Sequence, residues 1–235
     1  PPKPRHTTNS NHRYHKWKNL IHGFEPMAAN QLWAADITYI MLNNGDVCYL
    51  HLITDAYSRM IVGWELADTL RASITIKALE QAISQTGGVS LEGLIHHSDR
   101  GVQYCCDDYV RTLQTHKIKI SMTEDYNPTD NAIAERANGV IKTETVYSRK
   151  TFNSLEHARN VIGRFIHFYN YRRPHMSIGY KIPAVVHTET GPQKKMWKKN
   201  NYPKKAYNNG NNEISLPCQT TGADDGCNHH TVYSI

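Results

Sequence analysis

The stretch Trp33-Ala-Ala-Asp-Ile-Thr-Tyr-Ile-Met-Leu42 decides how the chain is read. Its β-branched, aromatic and small apolar side chains read as a buried β-strand. One charge, Asp36, interrupts it. A carboxylate within an apolar strand is costly unless it is hydrogen-bonded, paired or bound to metal. Strand alternation puts Ala35 and Ile37 on one face and Asp36 with Thr38 on the other. Asp36 is therefore either bonded to a neighbouring turn or placed for chemistry.

Outward from this strand, Asn43-Asn-Gly-Asp46 is a hairpin turn signal. Residues 47–54 read as a second strand. Residues 59–66 read as a third, after the turn Asp55-Ala-Tyr-Ser58, where Asp55 is expected to cap the turn. Ile74, Ala78, Leu79 and Ile83 have helical spacing in a segment that Thr69 or Ser73 would cap and Gly87-Gly88 would stop. Residues 94–97 read as a fourth strand, residues 107–116 as a helix and residues 118–122 as a fifth strand. Pro128-Thr-Asp130 opens a long helix to about Tyr147, with Asp130 as N-cap, and a last helix runs from Ser154 to about Tyr171. The order βββ-α-β-α-β-α-α predicts an α/β protein with a mixed sheet and helices on its faces.

Two further acids have settings that suit a metal ligand. Asp99 follows the fourth strand, and ligand sites of sheet proteins gather at strand carboxyl ends. Gly101 allows close backbone approach there, and Arg100 could pair with Asp99 or face phosphate. Glu135 lies on the helix opened by Asp130, thirty-five residues intervening after Asp99. Helical geometry groups Asn131, Glu135, Asn138 and Lys142 on a polar face, opposite a packing face of Ile133, Ala137, Val140 and Ile141. Clustered carboxylates hold Mg²⁺ against phosphate oxygens, and two such ions roughly 3.5–4 Å apart clamp both oxygens of a phosphodiester exchange. If the three acids converge, the chain is a strand-transfer enzyme or a nuclease.

Net charge is +6. Residues 1–25 hold five Lys/Arg against Glu25, and residues 194–205 hold six lysines and no acid. A near-neutral core with basic ends suits a polyanionic partner. Residues 1–25 are expected to form a basic arm or linker, whose aromatics Tyr14, Trp17 and Phe24 either dock on the core or stack on bases. Residues 26–190 would form the core, and residues 191–235, basic and then Asn/Gly-rich, a disordered tail. The first residue, Pro1, fits a piece of a longer protein. Five cysteines, Cys48, Cys105, Cys106, Cys218 and Cys227, make no regular framework and suit a reducing setting. No apolar run approaches the ~20 residues of a membrane span.

Several separated motifs resemble one family. Gln31-Leu-Trp-Ala-Ala-Asp-Ile-Thr-Tyr-Ile40 is similar to the first catalytic-Asp motif of DDE transposases, of the integrase-core type found in bacterial insertion sequences. His96-His-Ser-Asp-Arg-Gly-Val-Gln-Tyr104 looks like the second motif, and Asp130-Asn-Ala-Ile-Ala-Glu-Arg-Ala-Asn-Gly-Val-Ile-Lys142 like the third. The spacing to Glu135 and the lysine seven residues after it match the family signature. Asp55-Ala-Tyr-Ser-Arg-Met-Ile-Val-Gly-Trp64 resembles the family's second and third strands. Tyr169-Asn-Tyr-Arg-Arg-Pro-His-Met-Ser177 and Pro183 resemble its closing motif. Arg136 departs from the Ser often found there. Residues 193–235 match nothing in the family, and its upstream helix-turn-helix and His-His-Cys-Cys module are not seen.

The resemblance implies an RNase H-like fold, with a five-stranded mixed sheet of a three-strand antiparallel meander and two parallel strands. It implies catalytic Asp36, Asp99 and Glu135 holding two Mg²⁺ (or Mn²⁺) ions, and DNA cleavage and strand transfer by a 3′-hydroxyl. Lys142 would bind phosphate, with Arg100, Asn131 and Asn138 positioning DNA or the ligands. Transposon ends and target DNA would be the partners of a homo-oligomer in the bacterial cytoplasm, at the nucleoid. An RNase H-like nuclease, or an inactive remnant that binds DNA, are the alternatives.

Overall fold

The computed structural model describes residues 10–124, 132–146, 152–194 and 196. The apolar stretch around Asp36 forms β1 (Leu32–Met41), and the Asn-Gly turn returns the chain into β2 (Val47–Asp55) and then β3 (Ile61–Ala67). Helix α1 (Ala72–Gln85) crosses to β4 (Ile95–Ser98). Two short helices, α2 (Val102–Cys105) and α3 (Asp107–Thr115), lead into β5 (Lys119–Met122). Then come α4 (Ala132–Ile141), a π-helical turn (Lys142–Val146), α5 (Leu155–Tyr171), a 3-10 turn (Met176–Ile178) and α6 (Pro183–Val186).

The sheet order is β3-β2-β1-β4-β5. β1, β2 and β3 pair antiparallel, while β4 pairs parallel with β1 and with β5. This is the RNase H-like arrangement expected. Alternation along β1 divides the core. Trp33, Ala35 and Ile37 pack with Leu79, Ala82, Tyr109 and Leu113 of α1 and α3. Ile40 packs on the other face with Ile141, Ala158, Ile162 and Ile166 of α4 and α5. Asp36 belongs by alternation to the α4 face.

Two close approaches lock helices to the β3 edge. A Cβ on Gly63 would overlap the Ala78 carbonyl, so only glycine lets α1 lie this near the strand. On the opposite face the Asn170 amide mimics a strand neighbour: its Nδ2 donates to the Ile61 carbonyl and its Oδ1 accepts from the Ile61 N–H, both at 2.9 Å. An edge strand is thereby given two of its missing bonds.

The structure departs from the sequence expectation in four places. α2 was not expected. Neither Thr69 nor Ser73 caps α1; Arg71 stands at its N-cap in extended backbone without a side-chain cap. The α-helix after Asp130 ends at Ile141 and widens to a π turn, where Thr145 Oγ1 donates to the Ile141 carbonyl at 2.6 Å. The buried side of α4 is Ala134, Ala137, Asn138 and Ile141, rotated from the expected packing face. Asp130 and Tyr147 lie outside the described residues. The last helix starts at Ser154 as expected, and Ser154 caps it, its Oγ accepting from His157 N at 3.1 Å.

The described part of the N-terminal arm docks. Trp17 packs against the core beneath the sheet, Leu20 N donates to Ser121 Oγ at 2.8 Å, and Met122 N donates to the Lys18 carbonyl at 3.3 Å. The arm thus runs beside β5. Among the described residues no helix is long and apolar enough to cross a membrane.

Candidate active site

Parallel pairing of β1 with β4 sets the first relationship. The register runs Leu32 with Ile95, Trp33 with His96 and Ala34 with His97. Asp36 and Asp99 each lie two residues past that last pair, so they stand at the same level on neighbouring chain segments. Adjacent strands are about 4.8 Å apart. Asp99 is held there locally: Gly101 N donates to its Oδ1 at 2.9 Å. A Cβ on Gly101 would sit 2.9 Å from that same oxygen and 3.1 Å from Gln103 Oε1. Gly101 has φ −63°, so what it contributes is space rather than an unusual backbone.

Asp36 is electrostatically crowded. Burial first, then Asp99 and last Glu135 push its carboxyl up to about 7 from 3.8. Two hydrogen bonds oppose this: Asn138 Nδ2 donates to Oδ2 at 2.6 Å, and Ile37 N donates to Oδ1 at 2.9 Å. Beneath the pair lies buried Tyr104, whose phenol is raised by burial and then by Asp99 and Asp36. Tyr104 was not singled out from the sequence, where it reads as one more core aromatic.

α4 supplies the third acid. Glu135 is exposed, in the helix's first turn, and exerts the smallest of the upward effects on Asp36. One turn on, Asn138 is buried at 5% exposure and spends its amide on Asp36. It orients a carboxylate rather than facing solvent. Lys142 is half-buried, with its ammonium 4.5 Å from the Tyr39 ring centroid. Burial lowers the pKa of Lys142 and Asp36 raises it, so this cation lies within reach of the acidic site.

The other expected residues divide. Arg100 is half-buried; its carbonyl contacts His12 Nε2 at 2.9 Å, and its Nε is buried without a hydrogen-bond partner among the described residues. Asn131 lies outside the described residues. Asp55 caps the turn, as expected: its Oδ1 accepts from Tyr57 N, Ser58 N and Ser58 Oγ at 3.1, 2.8 and 2.8 Å, and its Oδ2 from Asn30 N at 2.8 Å.

The site offers hard oxygen donors and like-charge crowding that a cation would relieve, which fits magnesium in donor chemistry. Among the described residues, no group of three or more His, Cys, Asp and Glu side chains is arranged to hold a metal ion. The described geometry therefore brings Asp36 and Asp99 to one level and Glu135 within electrostatic reach, short of a formed three-ligand cage.

Family models described as integrase core domain match residues 26–128 and residues 116–183. The insertion element IS600 uncharacterized 31 kDa protein of Shigella sonnei is 40% identical over 185 residues, covering 78% of this chain and 66% of that protein. The transposase for insertion sequence element IS904 of Lactococcus lactis is 33% identical over 167 residues, covering 70% and 64%. The chain spans 59% of the protein of element IS986/IS6110 from Mycobacterium tuberculosis, with 38% identity over 165 residues, or 69% of this chain. It thus covers less than two thirds of the length of each. Among solved structures, the HTLV-2 integrase catalytic core domain in complex with magnesium superposes with TM-score 0.55 at 20% identity, covering 69% of this chain and 99% of that one. The simian T-cell lymphotropic virus intasome, in complex with PP2A regulatory subunit B56 gamma, gives 0.60 at 20%, covering 80% and 65%. These two likenesses speak to the fold. With the family models spanning residues 26–183 and the sheet order in agreement, the chain belongs to the integrase-core family, as a DDE-transposase and retroviral-integrase-like catalytic core domain.

Proposed function

We propose that this chain catalyses magnesium-dependent DNA cleavage and strand transfer, with Asp36, Asp99 and Glu135 as ligands of two Mg²⁺ (or Mn²⁺) ions. The observation that carries the reading is the crowding of Asp36 by Asp99 and Glu135 in a chain of this family. When bound, the ions supply activation of water or a DNA 3′-hydroxyl and stabilise the leaving oxygen. Asn138 holds the Asp36 carboxylate in place, Gly101 holds that of Asp99, and Lys142 binds a phosphate beside the cleaved bond. Arg100 and Asn131 are assigned to DNA positioning. No protein nucleophile is required.

The domain assignment belongs to the same proposal: residues 1–25 are a basic arm, 26–190 the catalytic core and 191–235 a tail. Transposon ends and target DNA are the proposed partners. Synapsis of two ends calls for a homo-oligomer, acting at the bacterial nucleoid. Purified protein incubated with labelled DNA ends and Mg²⁺ tests the reading: joined products support it. Release of ends without joining assigns a nuclease.

A second reading is an inactive core that retains DNA binding, favoured by the lack of a formed three-acid cage among the described residues. Calorimetric titration with Mg²⁺ separates the two, since the inactive core takes up no ion.

A further inference from the structure

On the flank of α4 turned away from Glu135 lies a cavity of about 640 Å³, walled by Ile133, Arg136 and Val140 of α4 and by Arg59, Tyr169 and Arg173. The helical wheel makes this separate from the acidic site: Arg136 and Val140 point to one side of α4, Glu135 and Asn138 to another. Three guanidiniums converge here from distant parts of the chain. Arg59 comes from the β2–β3 turn, Arg136 from α4, and Arg173 from just beyond α5. Tyr169 and His175 each feel the charge of all three.

Arg59 is the telling member. It is held with φ +68°, a left-handed backbone that disfavours side chains. Its Nε and Nη1 are buried and, among the described residues, have no hydrogen-bond partner. Buried donors of a charged group are nearly always satisfied, so these point to a missing acceptor. Arg173 is served by Glu144, which takes bonds from its Nε at 3.1 Å and its Nη2 at 2.5 Å. Arg136 is exposed at the rim. Apolar surface flanks the charges: Met176 and Tyr180 are 41% and 58% exposed.

We propose that this cavity binds a backbone phosphate of DNA, making a second phosphate station on the far flank of α4. The planar guanidinium fork matches phosphate oxygens. The surplus of positive charge favours a polyanion, and Tyr180 and Met176 give the adjoining sugar or base a surface to lie on. The proposal rests on the DNA-binding reading above, and its test is arranged to fail separately from it.

The full chain is titrated against a fluorescein-labelled DNA duplex over a series of KCl concentrations. Arg136→Gln, at an exposed helix position, is the principal variant. Arg59→Lys keeps charge but removes the fork, and Lys142→Gln reports the other flank. Thermal melts check folding of each. Arg136→Gln is expected to bind several-fold more weakly and to reduce the slope of log K against log salt by about one. Arg59→Lys should weaken binding with the slope retained. If Arg136→Gln matches wild type in affinity and slope while Lys142→Gln weakens, the cavity proposal falls and the DNA reading stands. If wild type binds no DNA, both fall. If inorganic phosphate at matched ionic strength raises the melting temperature of wild type but not of Arg136→Gln, with DNA binding unchanged, the cavity takes free phosphate and the proposal is overturned. Polyglutamate binding lost in Arg136→Gln, again with DNA binding unchanged, would reassign the cavity to an acidic protein.

Discussion

Asn138 Nδ2 donates to Asp36 Oδ2 at 2.6 Å, joining α4 to β1 across 102 residues of sequence. The bond lowers the Asp36 pKa, yet burial and the neighbouring acids outweigh it and leave the carboxyl near 7. The sign follows from linkage. The folded pKa exceeds the unfolded one, so the stability contributed by this group is full below about pH 4 and lost as pH rises through about 7. We expect the metal-free chain to lose on the order of 1–3 kcal/mol from this group between pH 5 and 8. Added Mg²⁺ should restore part of it at pH 8. Differential scanning calorimetry across that range, with and without Mg²⁺, reads both. A flat pH response without Mg²⁺ would remove the crowding argument.

Replacing any of the three acids by its amide isostere, Asp36→Asn, Asp99→Asn or Glu135→Gln, is expected to abolish strand transfer. DNA affinity should change by less than the roughly tenfold that 1.4 kcal/mol represents. Gel-resolved joining assays beside anisotropy binding test this. Wild-type joining in any one variant would take that residue out of the proposed set.

Gly101→Ala should disturb the site without disturbing the fold. The added Cβ would sit 2.9 Å from Asp99 Oδ1, an oxygen already fixed by the Gly101 N–H. The backbone itself, at φ −63°, accepts alanine readily. We expect weaker Mg²⁺ binding by calorimetry and a melting temperature within a few degrees of wild type. A shift of 1 kcal/mol corresponds to about 2–4 °C for a domain of this size. Unchanged Mg²⁺ affinity would mean that Asp99 does not ligate.

The strand pattern made Asp36 legible because a single charge in an apolar run is conspicuous. That Asp99 stands beside it depends on parallel pairing of β1 with β4, and a sequence carries the strands but not their register. On α4 the expected polar face contained Asn138, and the structure buries it. Intrinsic periodicity cannot tell whether a polar residue near the boundary meets water or a buried carboxylate, and packing against β1 rotated the buried side. The change to a π turn at Lys142 follows from the Thr145 back-bond, invisible to hydrophobic periodicity. α2, with four residues, is too short to show a period. Arg59, Arg136 and Arg173 meet only through tertiary structure, so nothing in the order of residues grouped them.

Lys142→Ala should weaken DNA binding and joining less severely than loss of an acid. Its ammonium rests over Tyr39 at 4.5 Å and is drawn to Asp36, so the side chain is positioned before DNA arrives. Loss of one phosphate contact predicts a salt slope smaller by about one. Anisotropy titrations in graded KCl measure it. An unchanged slope would place Lys142 in the support of Asp36 rather than on DNA.

Asp36 and Asp55 offer a contrast between two acids of one hairpin. Asp55 is wholly buried and accepts four hydrogen bonds, so Asp55→Asn turns an –NH₂ toward the donors of Asn30 or of Tyr57 and Ser58. The unmet donors should cost about 1–3 kcal/mol. Asp36→Asn works in the other direction. It removes a crowded charge, and Asn138, whose Oδ1 is buried without a partner among the described residues, can turn its amide to accept from the new –NH₂. Ile37 N can still donate to the remaining oxygen. At pH 8 without Mg²⁺, thermal melts should therefore move in opposite directions, down for Asp55→Asn and up for Asp36→Asn. Destabilisation by both would make Asp36 a structural carboxylate like Asp55.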